Sequence, residues 1–185
     1  MSNYRRANTK GGTYFFTVVT YRRQRFLCDD NVRPVLRSAI QHTRTTHPFT
    51  IDAWVLLPDH LHCIWTLPPN DADFGVRWAM IKRYITKHCG QYLQREEWLN
   101  TSKRRRKEST LWQRRFWEHQ IRDDHDYEIH MDYLHYNPVK HGLVKQVKDW
   151  PYSTFHRYVL EGIYSLEWGS DLKLDESYTD WGEPT

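Results

Sequence analysis

Three cysteines in 185 residues, Cys28, Cys63 and Cys89, are odd in number and form no C-x-x-C pair, which excludes a disulfide framework and the thiolate metal knuckles. No apolar run approaches the roughly 20 residues that cross a bilayer. Arg5, Arg6 and Lys10 are not followed by the apolar stretch of an export signal. The expectation is a cytoplasmic, nucleoid-associated protein with no membrane partner. Acid is also scarce through most of the chain and concentrated at its end. Residues 161–185 hold seven acids against Lys173 and carry a net −6, which leaves +10 on the first 160 residues of a chain whose total is +4. A basic body with nine tryptophans and 15% aromatic residues suits a surface that neutralises phosphates and stacks on unpaired bases. The same composition fits a solvated surface over a Trp-rich core.

What is present reads as alternating strands and helices in one domain. Thr13 to Thr20, rich in β-branched and aromatic residues, predicts a strand. Val32, Val35, Leu36, Ala39 and Ile40 predict an amphipathic helix. Phe49 to Leu57 and Leu61 to Leu67 predict a hairpin turning at Leu57-Pro58-Asp59-His60, with Asp59 favoured as a turn residue over a partner that orients an imidazole. Phe74, Trp78, Ile81, Ile85, His88 and Tyr92 predict the inner stripe of a second helix, with Arg77, Lys82, Arg83 and Lys87 outside it. Lys103 to Lys107, a block of five like charges, is expected to be a mobile loop. Phe116 to Arg122 predicts another strand. Asp123 and Asp124 cap a third long helix that bears Tyr133, and a short helix is expected near Thr154 to Leu160. The order is βαββαβα, which suggests an antiparallel or mixed sheet with helices packed on it.

His60 and His62 stand one residue apart on a candidate strand, so the pleat aims both imidazoles to one face. Two convergent nitrogens invite a divalent metal, although in a chain with eleven histidines a structural pair is the plainer reading. Tyr133 and Asn137 share a helix face at i, i+4. They offer a phenol that can attack phosphorus and an amide oxygen as third ligand. Tyr136, three positions from Tyr133 and one before Asn137, cannot share the amide's face as well. Asn137 precedes Pro138, so the helix is expected to end there. Arg5, Arg6, Lys82, Arg83, Arg104, Arg105, Arg106, Arg114, Arg115 and Lys140 are the candidate DNA contacts. Glu118, His119 and His135 are read as structural or surface residues.

Four blocks occur in order: Leu57-Pro58-Asp59-His60-Leu61-His62-Cys63-Ile64-Trp65, Phe116-Trp117-Glu118-His119, Asp132-Tyr133-Leu134-His135-Tyr136-Asn137-Pro138-Val139-Lys140-His141-Gly142, and Trp150-Pro151-Tyr152-Ser153-Thr154-Phe155-His156. Together they resemble the REP-associated tyrosine transposases, a branch of the HUH single-tyrosine transposases, from about Tyr4 to Trp168. The resemblance implies an α+β, ferredoxin-like core with a central antiparallel sheet. It also implies a Mg²⁺- or Mn²⁺-dependent nick of single-stranded DNA that leaves a 5′-phosphotyrosine and a free 3′-hydroxyl. His60 and His62 fall on the metal pair, Tyr133 on the nucleophile and Asn137 on the third ligand, where insertion-sequence relatives carry glutamine. The substrate implied is a repetitive extragenic palindrome (REP) hairpin, bound by a monomer, while the insertion-sequence relatives work as dimers.

Residues 1–168 are thus expected to form one nuclease domain with a basic insertion near 95–112, and residues 169–185 an acidic tail competing with DNA for the basic surface. Two other readings stand beside this one. One is a REP-binding architectural protein without catalysis, and the other a zinc hydrolase in which H-x-H activates water and Tyr133 is structural.

Overall fold

The computed structural model describes residues 9–170 and residue 181. Arg5, Arg6 and most of the acidic end therefore lie outside the described residues. Four strands, β1 (Thr13–Val19), β2 (Thr50–Leu56), β3 (His60–Thr66) and β4 (Trp117–Gln120), form one sheet in the order β2-β3-β1-β4, every neighbour antiparallel. Helix α1 (Arg33–Thr46) joins β1 to β2. Helix α2 (Phe74–Leu93) and the short α3 (Thr101–Arg106) lie between β3 and β4, and α4 (Asp124–Lys140) and α5 (Phe155–Leu160) follow. The βαββαβ order with this strand sequence is the α+β, ferredoxin-like arrangement expected from the chain.

The pleat sorts the strands into two cores. Tyr14, Phe16, Val18, Leu61, Cys63 and Trp65 face one side and pack with Leu36 and Ala39 of α1 and Phe74, Trp78, Ile81 and Ile85 of α2. Phe15, Ala53, Val55 and Ile64 face the other side and meet Met131, Tyr133 and Leu134 of α4. The sheet is thus sandwiched, which is why the central strand β1 is apolar on both faces rather than alternating.

Four expectations change in the structure. The inner stripe of α2 runs to Cys89, not to His88, which is exposed. At 100° per residue, Cys89 lies about 20° from Trp78 and His88 about 80° away. Arg77, read as an outer basic residue, is wholly buried. Its guanidinium donates to the carbonyls of His47, Pro48 and Asp73 and pairs with Asp71 at 2.6 Å, and only such pairing makes burial of that charge tolerable. Lys103 to Lys107 is not a loop. Asn100 caps α3 by accepting from Lys103 N at 2.8 Å, and Lys103 turns inward over the Tyr21 ring at 3.9 Å. Finally, α4 does not stop before Pro138. It runs to Lys140, with His141 N donating to Asn137 O at 3.0 Å. Proline deletes one helical bond, and burial of both Asn137 and Pro138 holds the last turn against the local bias.

Candidate active site

The register sets Thr17 opposite His62 and Val19 opposite His60. Both imidazoles therefore lie on the α4 face of the sheet, with ring centroids 5.0 Å apart and planes at 85°. Each ring is held by its Nδ1. His60 Nδ1 lies 2.8 Å from Asp59 Oδ1 and 3.3 Å from Arg23 Nη1. The shorter contact, to a carboxylate, makes Nδ1 the proton-bearing nitrogen. Thr17 Oγ1 donates its one proton to Trp181 O at 2.7 Å, so at its 2.9 Å contact with His62 Nδ1 the imidazole must be the donor. Both rings are thereby set with an Nε2 lone pair, the form in which imidazole binds a metal.

Of the two roles open to Asp59, turn residue and partner of an imidazole, the structure shows it holding His60. Burial pushes its carboxyl pKa up, but the His60 hydrogen bond and the charge of Arg23, 3.6 Å away, outweigh this and hold it below the usual range.

Helix α4 supplies the other half of the site. Asp123 caps it by accepting from Asp126 N at 2.8 Å, and Tyr133 is carried to 5.4 Å from the His62 ring and 6.1 Å from Phe15, with no exposed surface. Lys140 donates to the Tyr133 hydroxyl at 2.9 Å. Seven residues on, it returns to the same helical face within about 20°, a signal available in the sequence but read there only as a DNA contact. An ammonium at this distance stabilises negative charge on the phenolic oxygen.

Asn137 is fully buried one turn after Tyr133 on that face. Tyr136 turns elsewhere: a Cβ added at Gly169 would lie 3.4 Å from its ring and 2.8 Å from Val147 Cγ2. The His141 ring reaches 5.0 Å from His60, a neighbour the sequence reading did not single out.

A second constellation lies beside the first. Asp126 accepts from His119 Nε2 at 2.9 Å, Arg122 Nε at 2.9 Å and Arg122 N at 3.0 Å, while His130 Nδ1 donates to the Asp126 carbonyl at 2.7 Å. His119, Asp126 and His130 bring ligand atoms within 4.8 Å of one another. Those atoms are already engaged by protein partners, however. Burial pushes Asp126 up, and the bonds from Arg122 and His119 outweigh it and keep it ionised. Burial pushes His130 down to about 4. In the structure the cluster is a hydrogen-bonded knot.

Buried His135 bonds Thr154 Oγ1 at 2.9 Å, so its role is structural. Glu118 is buried on the opposite side of β4 from His119.

The basic residues gather at the same end of the sheet as His60. Thr20 bridges to Trp112, Gln113 N donates to Val19 O, and Thr20 N donates to Asp59 O. Lys82, Arg83 and Arg114 line a groove of about 280 Å³, where Lys82 donates to Gln113 O at 3.0 Å. Arg104, Arg105, Arg106 and Arg115 are exposed. Arg104 and Arg106 pair with Glu96 and Glu108, and Glu108 also meets Arg114 at 3.6 Å.

A family model described as "Transposase IS200 like" matches residues 9–137, so the chain belongs to that family of DNA-processing enzymes. It is 48% identical to the REP-associated tyrosine transposase of Escherichia coli (strain K12), over 93% of each chain. It is 47% identical to a putative REP-associated tyrosine transposase of Haemophilus influenzae, over 94% of this chain and 98% of that one. A solved REP-associated tyrosine transposase bound to a REP hairpin matches with a TM-score of 0.81 at 46% identity, covering 100% of this chain and 99% of the other. Its place in the family is among the REP-associated tyrosine transposases. No helix among the described residues is long and apolar enough to cross a membrane.

Proposed function

We propose that the protein is a metal-dependent, single-strand DNA nuclease and strand transferase that nicks beside REP hairpins through Tyr133. The observation that carries this reading is the Tyr133 hydroxyl held by Lys140 at 2.9 Å, with the Tyr133 ring 5.4 Å from that of His62 and both His60 and His62 oriented through their Nδ1 atoms. The phenolic oxygen attacks phosphorus and the bond to the 3′-oxygen breaks. The tyrosine proton is released and the 3′-oxygen takes one up, leaving a 3′-hydroxyl and a 5′-phosphotyrosine. Lys140 supports negative charge on the tyrosine oxygen in attack and in its reversal.

His60, His62 and Asn137 would hold Mg²⁺ or Mn²⁺, the Asn137 amide oxygen being the hard donor that suits both ions and the two imidazoles the softer part of the set. Such an ion withdraws charge from the phosphate oxygens. Arg83, Arg104, Arg105, Arg106, Arg114 and Arg115, at the His60 end of the sheet, would neutralise the hairpin backbone, with Lys82 beside them and Arg5 and Arg6 as further contacts. The protein would act as a monomer in the nucleoid. The hairpin is the ligand of the solved relative, and its transfer to this chain rests on 46% identity across the whole length. The acidic end would compete with DNA, since Trp181 lies 4.7 Å from the Tyr133 ring.

One assay separates the readings. The protein is incubated with Mn²⁺ and a labelled REP hairpin carrying single-stranded flanks, then denatured. An adduct lost in Tyr133→Phe and kept in Tyr136→Phe supports Tyr133 attack. Cleavage that survives Tyr133→Phe indicates water activated at the histidines, and binding without either indicates an architectural protein.

A further inference from the structure

Next to Tyr133 the structure holds a column of flat rings that the cleavage chemistry does not use. The register puts Trp117 opposite Thr17 and His119 opposite Phe15, so both side chains rise on the Tyr133 side of the sheet. Their planes lie within 8° at 5.9 Å between centroids. His130, three residues before Tyr133 on α4, covers His119 at 4.5 Å and 11°. The Asp126 carboxylate holds the edge of His119, and the Asp126 carbonyl holds that of His130. With one nitrogen of each ring held, the faces are left to stack.

The fourth ring is Trp181, 3.9 Å from His130 at 23°, 4.7 Å from Tyr133 and 6.0 Å from Phe15. It comes from a segment 48 positions after Tyr133. Its carbonyl accepts from Thr17.

We infer that the His130 face beside Tyr133 is a nucleobase slot, which takes the base of one of the two nucleotides joined by the phosphate that Tyr133 attacks, and that Trp181 occupies it as a base surrogate. The inference rests on the proposed attack by Tyr133 only for which base enters. Trp181 lies against the ring of the proposed nucleophile, so DNA that brings a phosphate to Tyr133 must move the indole. That uncovers a flat aromatic face which a neighbouring base is placed to cover. Stacking on such a face tolerates any base, and a bicyclic indole already filling the slot marks it as large enough for a purine. Tyr133 stays beside the slot, which fixes the entering base relative to the reacting phosphate.

The test uses the full chain, metal-free in chelator so that no strand is cut, and hairpins with 2-aminopurine placed at successive positions of the single-stranded flank. In Trp181→Ala, fluorescence at one position bordering the mapped nick should fall severalfold on binding, and less in the wild-type chain. His130→Leu, added to Trp181→Ala, should remove that quench and weaken binding about tenfold. An abasic nucleotide at the quenched position should weaken binding to Trp181→Ala by the same factor with the protein untouched, which keeps the test decisive should His130→Leu fail to fold. Uniform fluorescence at every position, a quench that survives His130→Leu in folded protein, or full affinity for the abasic strand overturns the slot. The two readings fail separately. A position-specific quench without any phosphotyrosine adduct keeps the slot and removes the nuclease. An adduct formed equally well on the abasic strand, with no quench, keeps the nuclease and removes the slot.

Discussion

Replacing Asp59 by Asn tests how the site orients its metal-facing nitrogens. The Asp59 carboxylate lies 2.8 Å from His60 Nδ1, and the His60 side chain is buried. The carboxylate therefore sets the tautomer and also makes the ring a better donor at Nε2. An amide at the same place keeps the shape. It loses the charge, and in its flipped orientation it presents an N–H to Nδ1, which drives the proton to Nε2 and removes the lone pair. Loss of a partner behind a metal-binding histidine typically lowers metal affinity about 10- to 100-fold, which corresponds to about 1.4–2.8 kcal/mol.

The measurement is a Mn²⁺ titration of the rate of phosphotyrosine adduct formation on a REP hairpin, paired with hairpin affinity in chelator. The Mn²⁺ midpoint should rise by that factor while metal-free affinity stays within about twofold, because Asp59 faces His60 and Arg23. An unchanged Mn²⁺ midpoint in folded Asp59→Asn would show that His60 is not oriented toward a metal by this carboxylate, and the tautomer assignment would fall with it.

Lys140→Met keeps the aliphatic stem but removes the donor 2.9 Å from the Tyr133 hydroxyl. Single-turnover adduct formation at saturating hairpin should slow about 100- to 1,000-fold, with a change under threefold in hairpin Kd; a loss confined to Kd would instead make Lys140 a phosphate contact. Arg77→Met removes the donor to three carbonyls and to the partly exposed Asp71 carboxylate, which keeps its bond from Asp73 N. It should cost about 1–3 kcal/mol in urea unfolding, the penalty of leaving buried acceptors without their donor, and an unchanged unfolding free energy would contradict the buried network. Acid should destabilise the fold through two histidines. Burial, joined by the charges of Arg157 and His156, pushes His135 down to about 3, and burial pushes His130 to about 4. Both folded pKa values lie below the unfolded value, so their contribution is complete above about pH 6.5. It falls by about 1.4 kcal/mol per unit per histidine as pH drops toward 4. Urea midpoints that stay level from pH 7 to 4.5 in the wild-type chain, or that fall just as steeply in a folded His135→Gln variant, would refute this.

The sequence by itself determined which residues could share a face. Strand alternation put His60 and His62 together and Leu61 and Cys63 behind them, and helical spacing put Asn137 with Tyr133. The βαββαβ order followed from the same two periods. Local patterns went wrong where tertiary contacts outweighed them: burial holds α4 through Pro138, an asparagine cap and an inward Lys103 turn a like-charge block into α3, and three carbonyls with the partly exposed Asp71 carboxylate let Arg77 be buried.

Only the tertiary structure decided what each face meets. Antiparallel register brought Thr17 to His62, packing of α4 brought Tyr133 to His62, and the fold brought Trp181 onto His130. Those meetings join positions far apart in sequence. Periodicity is set by the backbone of each element and is legible locally, whereas the approach of one element to another depends on how the two cores fill.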